Sequence, residues 1–174
     1  FASGETDPNL YSNVSFNAYG IYSSVGLTNN GQINVTGTGG SAYGIEGTAF
    51  ASIYIYGLYG LSDVTNTAAI GIDATGGSPT TDFSNASAAT QVYGIYAGGS
   101  ANNSGAITID EHGGDARSNY GGAAAYVDVY GIFAMTDASN AGEISITAYG
   151  GAAGTDSVDS SSNANANVYG IYTY

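Results

Sequence analysis

Fourteen carboxylates, one histidine (His112) and one arginine (Arg117) carry the acid–base chemistry of this 174-residue chain, its tyrosines aside. A polysaccharide lyase requires a cationic side chain as base or charge stabiliser, commonly beside a carboxylate-bound Ca2+. Arg117 is the one candidate, and it stands in a polar excursion with Asp115, beyond Gly113-Gly114. A glycosidase requires two carboxylates flanking the scissile bond. Asp73 and Asp110 form such a pair at equivalent places in successive repeats, but Thr36 and Thr147 fill that place in the others. That pattern marks an outward polar column. His112, flanked by Glu111 and Gly113, reads as a solvated turn residue. The chain is therefore expected not to be an enzyme. Asp110, Glu111 and Asp115 lie close around a glycine-rich turn and are candidate oxygen ligands for Ca2+. They match neither the EF-hand loop nor the GGxGxD nonapeptide, so Ca2+ is a candidate and no other cofactor is expected.

Charge narrows the partners. The chain has no Lys and a formal net charge of −13. Nucleic-acid binding needs cations that neutralise phosphates, so no nucleic-acid partner is expected. Anionic membrane surfaces are disfavoured for the same reason. No apolar run is long enough to span a bilayer, so no membrane insertion is expected. With no Cys, a disulfide framework and thiolate metal sites are excluded. The 16 Tyr and the phased Ile and Val separate this chain from a disordered polyanion.

The elements that hold these residues follow from one stretch that returns five times. It reads Ala18-Tyr19-Gly20-Ile21-Tyr22, then Ile55 to Tyr59, Val92 to Tyr96, Val129 to Phe133 and Val168 to Tyr172. The glycines stand at 20, 57, 94, 131 and 170, so the steps are 37, 37, 37 and 39 residues. A fixed period of that size marks a solenoid or repeat array. Before each glycine the residues alternate, as in Ala49, Ala51, Ile53 and Ile55, which predicts a strand with one face buried. Small residues come first and branched ones later, so the interior is narrow at one end. Continuing by twos would bury Gly20 and Tyr22 and expose Ile21. Either the glycine carries a bulge or corner that shifts the alternation by one, or both faces are covered; glycine inside a strand favours the bulge.

A second unit follows each time: Asn29 to Val35, Asn66 to Ile72, Asn103 to Ile109 and Asn140 to Ile146. Each ends in a glycine pair and a variable polar excursion, where a third strand is uncertain. One 37-residue unit cannot bury its own apolar stripe, whereas stacked units do, with each strand pairing in parallel to its copies roughly 4.8 Å away. Ile33, Ile70, Ile107 and Ile144 then form a buried file. Asn29, Asn66, Asn103 and Asn140 form an asparagine ladder at a turn, where each amide satisfies its neighbours. Tyr19, Tyr56, Tyr93, Tyr130 and Tyr169 stack as one aromatic column, with Tyr22, Tyr59, Tyr96, Phe133 and Tyr172 as a second. A carbohydrate-binding aromatic stripe is the functional alternative for these tyrosines.

The NxGxIxI unit, the glycine pair and the YGIY strand together resemble repeats in passenger regions of bacterial autotransporters and filamentous-haemagglutinin-type surface proteins. The resemblance covers about residues 12–172 and implies a parallel β-helix outside the cell. The expected fold is accordingly all-β, a parallel β-helix of about four 37-residue coils plus a partial fifth rung. Residues 1–11 read as an N-terminal arm and 12–174 as one repeat domain. The expected role is a structural protein of the extracellular surface, a homopolymer stacked head to tail. A glycan-binding or adhesive module of a larger secreted protein is the alternative. The repeat both starts and stops on a YGIY strand with no charged or Pro-blocked edge, and the arm Phe1 to Leu10 would fill the half-rung missing at each joint.

Overall fold

The structure, a computed structural model, describes residues 11–174, so the expected arm at Phe1 to Leu10 lies outside the described residues. The described chain is all-β, without a helix, and winds as a β-solenoid. The first coil holds β1 (Ser12–Ser23), β2 (Leu27–Asn29), β3 (Ile33–Thr38) and β4 (Tyr43–Gly44). The second holds β5 (Ala49–Gly60), β6 (Val64–Asn66), β7 (Ile70–Thr75) and β8 (Thr80–Thr81). The third holds β9 (Ala86–Ala97), β10 (Ala101–Asn103), β11 (Ile107–His112) and β12 (Ala116–Ser118). The fourth holds β13 (Ala123–Ala134), β14 (Ala138–Asn140), β15 (Ile144–Tyr149) and β16 (Ala153–Thr155), and β17 (Ser162–Thr173) begins a fifth rung.

Like strands pair with like, in parallel. The long strands form a five-stranded sheet ordered β1-β5-β9-β13-β17, and the other three classes form four-stranded sheets. The register is the sequence period: Ser12 faces Ala49, Ile33 faces Ile70, and Leu27 faces Val64. At the last rung Val127 faces Ala166, so the two extra residues of that repeat are absorbed in the turn before β17. Each coil thus has four strands, where the sequence pattern predicts two and leaves a third open. The additional two are only two or three residues long. Strands so short carry no readable alternation, and they exist because the coil above and below supplies their hydrogen bonds.

The alternation does shift at the glycine. Ala49, Ala51, Ile53, Ile55 and Gly57 face inward, and so does the next residue, Leu58, while Tyr56 and Tyr59 both face outward. The shift recurs at the same place in each long strand, so it is a shared bend of the stack rather than an extra residue in one strand. Gly57 sits at the inside of that bend, and a Cβ there would lie 2.6 Å from both the Gly94 carbonyl oxygen and Ile70 Cγ2. No described glycine has a positive φ, so these positions need glycine for space, not for backbone freedom.

The interior divides in two. Ile53, Ile55, Leu58, Ile70, Ile95, Ile107, Ile109 and Ile132 anchor a branched-aliphatic core, and Ala86, Ala88, Ala116 and Ala123 form a separate alanine core at the narrow end. Ile33, Ile70 and Ile107 of the aliphatic file are buried, and Ile144 in the last coil is partly so.

The bend predicts a position-dependent response to one added methyl. Gly57→Ala should destabilise the fold by about 1–3 kcal/mol, the range for overpacking. Gly170→Ala occupies the same column with nothing within 4 Å of the new Cβ and should leave stability unchanged. Urea unfolding followed by circular dichroism measures both; equal midpoints for the two variants would contradict the bend as described.

Candidate functional site

The short strand that ends each time in Asn delivers that side chain into the corner before the Ile strand. Asn66 and Asn103 are fully buried and Asn29 nearly so. Each amide makes the same two donations. Asn66 Nδ2 donates to Ala68 O at 2.7 Å and to Asn103 Oδ1 at 2.7 Å. Asn29 donates to Gly31 O and Asn66 Oδ1, and Asn103 to Gly105 O and Asn140 Oδ1. Asn140 donates to Gly142 O. The turn carbonyl and the neighbouring coil are thus tied by one side chain, with both amide protons used.

The two aromatic columns run side by side on the outer face of the long sheet. Tyr19, Tyr56, Tyr93, Tyr130 and Tyr169 stack with centroids 4.8–5.0 Å apart and planes within 12° of parallel. Tyr22, Tyr59, Tyr96, Phe133 and Tyr172 stack at 4.7–5.4 Å. Between columns the rings meet edge to face, as for Tyr56 and Tyr59 at 5.0 Å and 86°. Each inner ring therefore gives both faces to its own column and shows solvent only its edge and hydroxyl. Sugar rings are recognised by stacking on an open aromatic face, so the column offers no such platform except at its two ends. Burial, then the neighbouring phenols, pushes the Tyr56 hydroxyl up to about 12. Tyr93 and Tyr130 are also raised, burial being the larger cause and Asp128 contributing to both.

The acidic candidates do not converge. Asp110 and Glu111 are consecutive on β11, so one faces outward and the other inward. Asp110 pairs with His112, Nε2 to Oδ1 at 3.5 Å, and His112 stacks on Tyr149 at 4.7 Å rather than standing in a turn. Asp115 Oδ1 accepts from the Ala152 amide at 2.8 Å, which ties its turn to the next coil. Asp63 does the same for Ser100 at 2.7 Å. Among the described residues no three His, Cys, Asp or Glu side chains are grouped to hold a metal ion. The Ca2+ candidates Asp110, Glu111 and Asp115 therefore point apart: Asp110 outward to His112, Glu111 inward, and Asp115 to the Ala152 amide.

Asp73 and Asp110 lie on adjacent strands, exposed, in a shallow open depression of about 390 Å3 with Asn34, Thr36, Gly71 and Thr108. Thr36 and Thr147 continue their column outward. Arg117 is exposed on β12.

One charged residue that the sequence pattern places at a turn sits instead in the interior. Glu111 is 0% exposed, and neither carboxylate oxygen has a hydrogen-bond partner. Its parity with Ile107 and Ile109 is the signal that identifies it, since the three are two residues apart on one strand.

The end rungs differ from the middle. Among the described residues β1 and β17 are the two edges of the long sheet. Phe16, an inward residue of β1, is 39% exposed, and Val168 and Ile171 of β17 are 49% and 46% exposed.

Two outcomes follow from the ladders. Asn103→Ala leaves Asn66 Nδ2, Asn140 Oδ1 and Gly105 O each short of a partner and should cost about 3 kcal/mol, whereas Asn140→Ala, at the ladder's last member, should cost about 1 kcal/mol. Chemical denaturation checks the ranking. For the phenols, a folded-state pKa above the unfolded value means that stability is present below about pH 10 and is lost as pH rises through about 12. Titration at 295 nm of the protein against Tyr56→Phe should show the difference absorbance appearing near pH 12. No family model, curated protein or solved structure matches this chain.

Proposed function

We propose that this chain is a non-catalytic structural protein of the extracellular surface whose copies stack end to end into a filament. The observation that carries this reading is the pair of end rungs. Both belong to the YGIY class, and among the described residues Phe16 on the first and Val168 and Ile171 on the last are partly exposed. An uncovered parallel edge presents unpaired N–H and C=O groups, which natural proteins normally cover or block. A copy placing its β1 on β17 would continue the Tyr columns and cover Val168 and Ile171 with Ala18, Ile21 and their neighbours. The contact joins unlike surfaces, and its repetition gives an open filament rather than a closed ring. The long sheet has five rungs and the others four, so the joint leaves a one-rung step above β14, β15 and β16. The extracellular setting rests on the motif resemblance to passenger-region repeats.

Gly170 supplies a test that spares the fold. A Cβ at Gly131 would lie 2.5 Å from the Gly170 carbonyl, while one at Gly170 meets nothing. In a stacked pair, Gly170 would acquire the partner's Gly20 carbonyl as that neighbour. Electron microscopy and light scattering should therefore show filaments for the unaltered chain and monomers with an unchanged circular dichroism spectrum for Gly170→Ala. Phe16→Asp should abolish filaments from the other end. A chain that stays monomeric at high concentration overturns the reading, and filaments unchanged by both substitutions overturn the joint.

A further inference from the structure

Every other inward position of the third coil is apolar or paired, which makes Glu111 and its neighbour Thr90 the exception. In the Glu111 column the other coils carry Gly37, Ala74 and Ala148. In the Thr90 column they carry Phe16, Ile53, Val127 and Ala166. Two polar side chains thus replace two apolar ones in the same coil, and both are fully buried. The Thr90 hydroxyl is near enough to the carboxyl to act on it as a hydrogen-bonding neighbour and lower its pKa, but the contact is too poorly aligned to count as a hydrogen bond, so Thr90 Oγ1 and both carboxylate oxygens lack a partner.

The groups around Glu111 offer no countercharge. β7 turns Ile70, Ile72 and Ala74 toward it, and β15 turns Ile144, Ile146 and Ala148. β9 contributes Ala86, Ala88, Thr90 and Val92, and β13 contributes Ala123, Ala125, Val127 and Val129. None of these ionises. The titratable groups on the same three strands, Asp73, Asp110 and His112, stand on the outer face, with Tyr149 beside His112. Asp110, next in the chain, is of the same sign as an ionised Glu111.

We propose that Glu111 is a base-operated release in the third coil: protonated it fills the interior, and on losing its proton it loosens that coil from the second and fourth. A solenoid is held by nearest-neighbour interfaces, so one weakened coil divides the stack in its middle rather than fraying its ends. Burial first, and Asp110 second, raise the carboxyl to about 8. The folded pKa lies above the unfolded one, so the stability tied to this group is fully present below about pH 4.3 and is lost as pH rises through about 8. Over that window the folded-to-unfolded ratio falls about tenfold per pH unit. The window is distinct from that of Tyr56, which opens above pH 10.

The experiment compares the full chain with Glu111→Gln, which keeps the shape without the charge, and Glu111→Ala, which installs the residue of the adjacent coils. Urea unfolding is measured from pH 5 to pH 9, and amide-exchange protection is followed at Ile107 to His112, corrected for the intrinsic rate. The expected result is a wild-type folded-to-unfolded ratio that drops about tenfold per pH unit relative to both variants up to about pH 8, with protection lost first in the third coil. Carboxyl 13C NMR, with the Glu111 resonance assigned by its loss in the variants, should show titration well above the ordinary carboxylate range. If Glu111→Gln fails to fold, Glu111→Ala alone provides the comparison. Identical pH profiles for wild type and variant, or a Glu111 resonance that titrates in the ordinary range, would overturn the proposal.

Discussion

Parallel stacking in register at the spacing of a β-ladder is the constraint on which everything else in this molecule depends. At roughly 4.8 Å, each side chain rests on its own counterpart, so a column is tolerable only if its residue packs well against a copy of itself. Isoleucine, asparagine and tyrosine meet that demand by three different forces: dispersion and water exclusion, reciprocal amide bonds, and offset ring contact. Charges do not meet it, because like charges directly opposite repel. The composition follows from this rule, with 9% charged residues in a chain whose exposed face is large. Aspartates that do occur at turns, such as Asp63 and Asp115, find backbone amides of the next coil and so avoid facing one another. Asp73 and Asp110 are like-charged neighbours on adjacent strands, and both are exposed, with Asp110 beside His112.

The same rule accounts for the stacking of the aromatic columns. A tyrosine that stacks on tyrosine has spent the part of its surface that a ligand would use. What the column shows to solvent is a row of edges and hydroxyls, those of Tyr56, Tyr93 and Tyr130 with raised pKa values, beside the polar file of Gln91, Asp128 and Asn167. The glycine bend contributes to this arrangement, since the shift in alternation is what turns Tyr56 and Tyr59 to the same side and allows the two columns to interlock.

What was legible in the chain was whatever repeats. The period announces stacking, and stacking turns Asn29, Asn66, Asn103 and Asn140 into neighbours without further knowledge. The bend at Gly57 was legible as a conflict of parity, though its cause, a carbonyl of the next coil pressing into the space of a side chain, exists only after assembly of the coils. The short strands, such as Val64–Asn66 and Thr80–Thr81, were hidden because their pairing is entirely nonlocal. Glu111 carries two conflicting signals: a cluster of acids beside glycines resembles a turn, while its two-residue spacing from Ile107 and Ile109 puts its carboxyl inside.

The asparagine file has a direction. Each side-chain amide gives its proton toward the higher-numbered coil and receives from the lower, from Asn29 through to Asn140, so the bond dipoles add instead of cancelling. The molecule is thus a vector. Turning the molecule end for end reverses that dipole, so the two directions along the solenoid axis are chemically distinct. Molecules pointing the same way add their dipoles, while molecules pointing in opposite ways cancel them. Any fibre grown from this protein would therefore have chemically distinct tips, and the rates of subunit addition at the two would differ.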